Sequence, residues 1–259
     1  MALPAQPRGF LIDLDGTVAG AKSLIPGAVE ALAWLDEQNF PYRIVTNTTS
    51  RPRSAILTKL RSLGLNLKPD QVVTAPAIAR EYLVQHGLTH CYPLLKDSLR
   101  EDLDGIEFVE HSPQAVIVGD LGDELSYQKL NHAFRCLLDG AAFVTLAQNR
   151  YFRGPDGLCL DVGATVAALE YATQRTATLI GKPSPEFFLV ACQGIGVAPE
   201  DTIVVGDDLE ADAGGAIAAG CAGVLVRTGK FRPEQLDQSG IRPDAVLDSL
   251  ADLPGLVGA

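Results

Sequence analysis

Basic residues are scarce: 21 lysines and arginines stand against 32 aspartates and glutamates, a formal net charge of −11. Nucleic-acid backbones and anionic membrane surfaces both ask for a basic face, so neither is expected as a partner. A small anionic substrate stays open, because one bound cation can invert the field inside a single pocket. Paired cysteines are missing. Cys91, Cys136, Cys159, Cys192 and Cys221 form an odd, scattered set without a C-x-x-C pair, which argues against a disulfide framework or a zinc site and for a reduced, cytosolic chain. The four histidines, His86, His90, His111 and His132, have no metal-ligand spacing and read as structural. No apolar run reaches membrane-spanning length, and the opening "MALPAQPRG" lacks the apolar stretch of a signal peptide, so a cytoplasmic protein is expected. The "NTT" sequon at Asn47 is then coincidental. There is no repeat period and no low-complexity linker. A G-x-G-x-x-G spacing is absent too, and "ADAGGAIAAG" reads as small residues for close helix–sheet packing rather than nucleotide binding.

What is present is an alternation of short apolar runs with helical patterns, in a chain of 259 residues that is 47% hydrophobic and 20% charged. Gly9–Ile12 reads as a strand and Pro26–Gln38 as a helix with Val29, Leu32, Ala33 and Trp34 or Leu35 inward. Tyr42–Val45 reads as a strand, and Pro52–Leu63 as a helix opened by its proline. Near the other end follow a short strand in "TLIGK", a helix over Pro185–Gly194, a strand over Thr202–Val205, an Ala-rich helix over Leu209–Ala219 and a strand over Gly223–Val226. This is the grammar of a parallel sheet covered on both faces. The middle repeats it: helices near Ala77–His86, Ser126–Asp139 and Gly163–Tyr171, with strands at His90–Leu94, Ala115–Val118 and Ala142–Ala147. The expected architecture is α/β, a Rossmann-like parallel sheet core from residues 1–74 and 179–259 with a smaller α/β domain, 75–178, inserted into it.

Acids collect at the predicted strand ends. "FLIDLDGT" places Asp13 and Asp15 where the first strand stops, and "TIVVGDDLEAD" places Asp207, Asp208 and Asp212 after a later one. Ligands of open α/β sheets sit outside the carboxyl ends of the strands, so these acids can converge despite their distance in sequence. Unpaired buried carboxylates are expensive, and hard oxygen ligands at such a place suit Mg²⁺. Thr46-Asn47-Thr48-Thr49-Ser50 ends another strand with hydroxyls and amides ahead of a helix, a cradle for an oxyanion. Lys182, in "IGKPSPEFF", follows a fourth strand and can neutralise a phosphate oxygen or orient a carboxylate. Singly, each has a plainer reading: a solvated turn, an N-cap for the helix at Leu209, a hydroxyl bonding its own turn, a surface lysine. Their shared placement on strand ends gives them weight together.

In that order, "DLDGT", "TNTTS", "GKPSPEFF" and "VVGDDLEAD" resemble the four motifs of the haloacid-dehalogenase-like (HAD) hydrolase superfamily, in its D-x-D-G-T phosphatase form. The insertion between the second and third resembles the bulky α/β cap of the p-nitrophenyl-phosphatase-like branch. Within that branch, "NRYFRGPDGLCLDVGATVAALEYATQRTATLIGKP" is similar to the group of phospholysine phosphohistidine inorganic pyrophosphate phosphatases and their HAD-domain relatives. The resemblance implies a Mg²⁺-dependent phosphatase acting on small phosphorylated compounds. Asp13 would be the nucleophile, forming an aspartyl-phosphate, and a metal ligand; Asp15 would be general acid and base, its backbone carbonyl also on the metal. Thr46 and Asn47 would hold the phosphoryl group, Lys182 would compensate charge, Asp207 would be the third metal ligand, and Asp208 and Asp212 would brace the loop or act through water. A homodimer is the implied assembly.

Two other classes stay in view: a phospho-aspartate signalling module and a catalytically idle phosphate-binding protein on the same fold. A receiver module has about half this length and no cap. In the inserted domain, Asp161 reads either as a pocket acid favouring cationic substrates or as an N-cap for Gly163–Tyr171. Asn149, Arg150 and Tyr151 read either as leaving-group contacts or as the closing of a turn.

Overall fold

The computed structural model describes residues 3–154 and 157–258. Pro155 and Asp156, within the segment that carries the cap resemblance, lie outside the described residues, as do the terminal Met1, Ala2 and Ala259. In chain order come β1 (Gly9–Asp13), α1 (Ala28–Glu37), β2 (Tyr42–Thr46), α2 (Arg53–Ser62), β3 (Val72–Thr74) and α3 (Ala75–Gln85). Next are β4 (His90–Leu94), β5 (Glu107–Phe108), β6 (Ala115–Val118), α4 (Tyr127–Leu138), β7 (Ala142–Thr145), a hairpin of β8 (Tyr151–Gly154) and β9 (Gly157–Leu160), α5 (Val162–Thr173) and β10 (Thr178–Leu179). The chain ends through α6 (Pro185–Ile195), β11 (Thr202–Gly206), a π-helical stretch Leu209–Gly214, α7 (Gly215–Ala218), β12 (Ala222–Val226), α8 (Pro233–Gln238), β13 (Ala245–Leu247) and α9 (Leu253–Val257).

Two compact units result. One comprises Met1–Thr46, Ser54–Val73 and Lys182–Ala259; the other comprises Asn47–Arg53 and Thr74–Gly181. In the first, six strands lie in the order β13-β12-β11-β1-β2-β3, with β1 parallel to both β11 and β2. The chain builds outward from β1 to β3, then returns to the other side of β1 with β11. That reversal opens a crevice at the carboxyl ends of β1 and β11. Phe10, Leu11 and Ile12 are fully buried, as a central strand covered on both faces requires. The second unit has its own parallel sheet, in the order β10-β7-β6-β4-β5. Its core packs Tyr92, Val116, Val118 and Phe143 against Ala133 and Leu137 of α4 and Val166 and Leu169 of α5.

The architecture is the α/β one that the alternating runs predict, with corrections in detail. Helix α1 buries Ala28, Ala31, Leu32 and Leu35, an i, i+3, i+4, i+7 stripe, whereas Val29 and Ala33 face solvent. The expected inward face was one residue out of phase at its start. The segment 47–53 groups with the second unit rather than with the first. The Arg53 N–H donates to the buried Asp102 carboxylate at 2.9 Å, and the same Oδ2 accepts from Thr74 Oγ1 at 3.4 Å. The expected single helix over Leu209–Ala219 is a π-helical stretch followed by one short helix. The β8–β9 hairpin, β3 and β13 have no counterpart in the sequence expectation, because each is too short to show a period.

Small residues set the helix–sheet distance in the first unit. A Cβ on Gly223 of β12 would lie 2.7 Å from the Ala213 carbonyl oxygen and 3.0 Å from its Cα. Both obstacles are backbone, so Gly223→Ala is expected to destabilise the fold by roughly 1–3 kcal/mol in urea denaturation. Gly255→Ala, inside α9 where nothing lies within 4 Å, should instead be neutral or stabilising by up to about 1 kcal/mol. Equal effects of the two substitutions would refute the close-approach explanation.

Candidate active site

The crevice at the ends of β1 and β11 is where the acids gather. Asp13 is the last residue of β1 and is 6% exposed; Asp207 follows β11 and is 2% exposed. Asp212, from the π-helical stretch, is 1% exposed. Ligand oxygens of Asp13, Asp207 and Asp212 all lie within 4.8 Å of one another. Lys182, itself buried, donates from Nζ to Asp13 Oδ1 at 2.5 Å and to Asp212 Oδ1 at 2.6 Å. The Asp208 N–H donates to Asp212 Oδ2 at 3.1 Å, and the Lys230 N–H to Asp207 Oδ2 at 2.6 Å.

The chain must come very close to these carboxylates. A Cβ on Gly16 (φ +99°) would fall 2.1 Å from Asp207 Oδ2, and one on Gly229 (φ +59°) 1.8 Å from the same atom. Both the positive φ and the space exclude a side chain there. What the missing side chain of Gly16 clears is an oxygen of Asp207. In the π-helical stretch Asp208 O accepts from both Asp212 N and Ala213 N, which turns Asp212 back toward its own strand.

Three buried acids stand around one buried ammonium that bonds only two of them, Asp13 and Asp212, and the proton affinities of Asp13 and Asp207 respond. Burial raises the Asp13 pKa well above the ordinary carboxylate value; Lys182 opposes this, and Asp212 and Asp207 add to it. Asp207 is pushed up to about 6, by burial first and then by Asp212. Burial works against the Lys182 cation, but Asp13 and Asp212 outweigh it and its pKa rises. Burial also acts on Asp208, yet the Ala211 N–H and Lys230 hold it below the ordinary value. Asp13 Oδ2 is fully buried and has no hydrogen-bond partner among the described residues. An orphaned carboxylate oxygen beside two further acids is an all-oxygen donor set that suits a hard divalent cation such as Mg²⁺.

The other sequence candidates fall as follows. Asp15 is exposed just beyond β1 and accepts a hydrogen bond from Thr46 Oγ1 at 3.3 Å. Thr46, buried, ends β2, next to β1 in the sheet. Asn47 belongs to the second unit, where its Oδ1 would stand 2.8 Å from a Cβ on Gly181. Asp208 caps the π-helical stretch, accepting from the Glu210 and Ala211 N–H groups, and pairs with Lys230 Nζ at 3.3 Å. Asp161 is the residue before α5, and its Oδ1 accepts from the Val162 N–H at 2.7 Å. The Asn149 and Arg150 carbonyls accept from the Gly163 and Asp161 N–H groups, and Tyr151 starts β8.

Sequence reasoning missed the loop after β12. Thr228 Oγ1 donates to the Gly16 carbonyl at 2.6 Å, and Gly229 and Lys230 meet Asp207 and Asp208. Their signal was available: "RTGK" follows a predicted strand end, the criterion that singled out the acids.

Removing the shared cation tests the electrostatics. Lys182→Met leaves three buried carboxylates facing one another, and a loss of about 3 kcal/mol or more is expected in urea denaturation with EDTA present. Added Mg²⁺ should recover part of it. Unchanged stability in EDTA would mean that the carboxylates are solvated and the lysine is not their counter-charge.

The comparisons with known proteins agree with this geometry. Residues 10–109 match the haloacid dehalogenase-like hydrolase family and residues 179–253 a HAD-hydrolase-like family. Bovine haloacid dehalogenase-like hydrolase domain-containing protein 2 is 39% identical over 249 residues, 96% of this chain and 95% of that protein. Human phospholysine phosphohistidine inorganic pyrophosphate phosphatase is 37% identical over 256 residues, 96% of this chain and 94% of that protein. Among solved structures, the p-nitrophenyl phosphatase from Archaeoglobus fulgidus superposes with a TM-score of 0.91 at 28% identity, over 97% of this chain and 99% of that one. The 4-nitrophenylphosphatase from Thermotoga maritima gives 0.90 at 30% identity, over 98% of each chain. With its acids at the switch point of a Rossmann-order sheet, and among relatives named for phosphatase activity, the chain belongs to the haloacid dehalogenase-like hydrolase family.

Proposed function

We propose that the protein is a Mg²⁺-dependent phosphohydrolase that cleaves small phosphorylated compounds through an aspartyl-phosphate on Asp13. The observation that carries the reading is the buried cluster of Asp13, Asp207 and Asp212 around Lys182, with Asp13 Oδ2 left unpartnered among the described residues. Asp13 and Asp207, with the Asp15 backbone carbonyl, would hold the ion, and Asp212 fixes Lys182 beside them. When bound, Mg²⁺ would offset the repulsion between an attacking carboxylate and a phosphate dianion.

The remaining work belongs to the chain. An Asp13 carboxylate oxygen attacks phosphorus, forming the new P–O bond as the bond to the leaving group's oxygen or nitrogen breaks. Asp15 gives that departing atom a proton. Water then attacks the phosphoryl-aspartate, losing a proton to Asp15 while the Asp13–phosphorus bond breaks and inorganic phosphate departs. Two easier displacements replace one difficult one. Thr46 and Asn47 would position the phosphoryl oxygens, and Lys182 would stabilise charge on Asp13 and the phosphate. Asp208 and Asp212 would brace the loop.

On this reading residues 1–74 and 179–259 supply the chemistry, and residues 75–178 are a cap that selects the leaving group. The relatives' names suggest phospholysine, phosphohistidine, pyrophosphate and p-nitrophenyl phosphate as the first substrates to try. A cytoplasmic location is part of the proposal, supported by the free state of all five cysteines; no helix among the described residues is long and apolar enough to cross a membrane. A homodimer is proposed as well, supported by exposed apolar side chains on the hairpin and α5: Tyr151, Leu158, Leu160 and Tyr171, each more than half exposed.

Turnover of that substrate panel with Mg²⁺, and its loss in EDTA, is the direct test. Asp13→Asn should lower turnover by about a thousandfold or more while circular dichroism stays unchanged; activity that survives the substitution would refute the nucleophile assignment. Light scattering should give the mass of two chains, and the mass of one would remove the dimer.

A further inference from the structure

We propose that the second unit carries a small-molecule site of its own, a cleft outside the carboxyl ends of β4 and β6 that takes an organic amine in its cationic form. The first support is topological. In the order β5-β4-β6-β7-β10 the chain leaves β4 to build β5 on one side, then crosses to β6 on the other and continues outward through β7 and β10. All these pairings are parallel. Connections leaving β4 and β6 therefore diverge, and a doubly wound sheet of this order opens a binding crevice at that point. The acid cluster of the first unit occupies the corresponding crevice of its own sheet, between β1 and β11.

The second support is the space itself. A cleft of about 470 Å³ lies there, walled by residues that follow β4 and β6, Leu95 and Leu121 among them, and by α4. That volume lies in the range of sites for small organic molecules.

Its chemistry points to a cation. Three carboxylates, Asp97, Glu110 and Glu124, line the cleft against one lysine, Lys129. Asp97 is engaged by Arg100 at 2.5 Å, and Glu124 faces Lys129 Nζ at 3.9 Å. No lysine or arginine among the described residues pairs with the Glu110 carboxylate. Beside it the half-buried His132 ring packs on the buried Tyr92 ring, with centroids 4.6 Å apart. His132 Nε2 donates to the Glu110 carbonyl at 2.7 Å, and Tyr92 Oη donates to the Lys129 carbonyl at 3.4 Å. Both rings are thus fixed by backbone acceptors. A tethered ring that an apolar body can pack on, beside a carboxylate with no basic partner among the described residues, favours an ammonium carried on an apolar body. A phosphate or carboxylate ligand would meet an excess of negative charge. None of this depends on the catalytic reading of the first unit.

Tyramine, a phenol ring bearing an ammonium, is the probe, and 4-hydroxyphenylacetate, the same ring bearing a carboxylate, is the control. Binding to the full chain is followed by amide NMR shifts. Tyramine is expected to bind saturably with a dissociation constant of about 1 mM or tighter, shifting amides of residues 92–97 and 121–132, while the control does not bind. Glu110→Gln, at an exposed position where folding is not at stake, should weaken tyramine binding at least about threefold. His132→Leu should weaken it too. No saturation by about 10 mM, equal binding of the control, or tyramine binding indifferent to Glu110→Gln would each overturn the proposal.

Discussion

Everything around the acid cluster depends on one buried ammonium. Lys182 Nζ is divided between Asp13 and Asp212, and Asp207 stands within ligand distance of both acids without sharing the lysine. Three carboxylates against one cation leave a charge deficit in a place where water cannot screen it. The structure answers locally with backbone N–H groups from Asp208 and Lys230. It answers sterically with glycines at 16 and 229, which bring main chain against Asp207 where no side chain would fit. Burial first, and then the neighbouring carboxylates, raise the pKa values of Asp13 and Asp207. Such a set of buried carboxylate oxygens is a donor set that suits a hard divalent cation.

Strand order decides where such a cluster can exist. β1 and β11 are neighbours in the sheet, Ile12 opposite Val205, although nearly two hundred residues separate them in the chain. The connections reverse direction between those strands, so their carboxyl ends face open space rather than a crossing loop. The second unit obeys the same rule with a different order, and its β4–β6 ends also border a cleft. One cleft is lined by buried acids, two of them bonded to a lysine. The other is lined by surface acids and a pair of tethered rings. A single topological device thus supports two surroundings with different chemical preferences.

Local readings succeeded where a residue's job is fixed by its immediate neighbours. Phe10, Leu11 and Ile12 can only be a buried strand, and an acid directly after it must sit at the strand's carboxyl end. The helix expected near Ser126–Asp139 is α4, and the one expected over Pro185–Gly194 is α6, opened by its proline. They failed where phase or long-range pairing mattered. Val29 resembles Leu32 in composition, yet one step of helical rotation puts it in solvent. Asp208 and Asp212 look equivalent on the page, but the π-helical turn sends only Asp212 to the lysine. Thr228, Gly229 and Lys230 stand at a predicted strand end like the acids, but only the order of strands in the sheet makes them neighbours of Gly16 and Asp207.

By itself, then, the sequence determined the alternating α/β grammar, the strand ends that carry acids, a threonine or a lysine, and the acidic net charge. Those properties follow from hydrophobic period, turn chemistry and charge count, all of which act over a few residues or over composition. The tertiary structure alone decided which carboxylates share Lys182, that residues 47–53 group with the second unit through Asp102, and that a cleft lies beside Tyr92 and His132. Those outcomes depend on which strands become neighbours, a matter of cooperative packing between distant segments, and no short window of sequence records it.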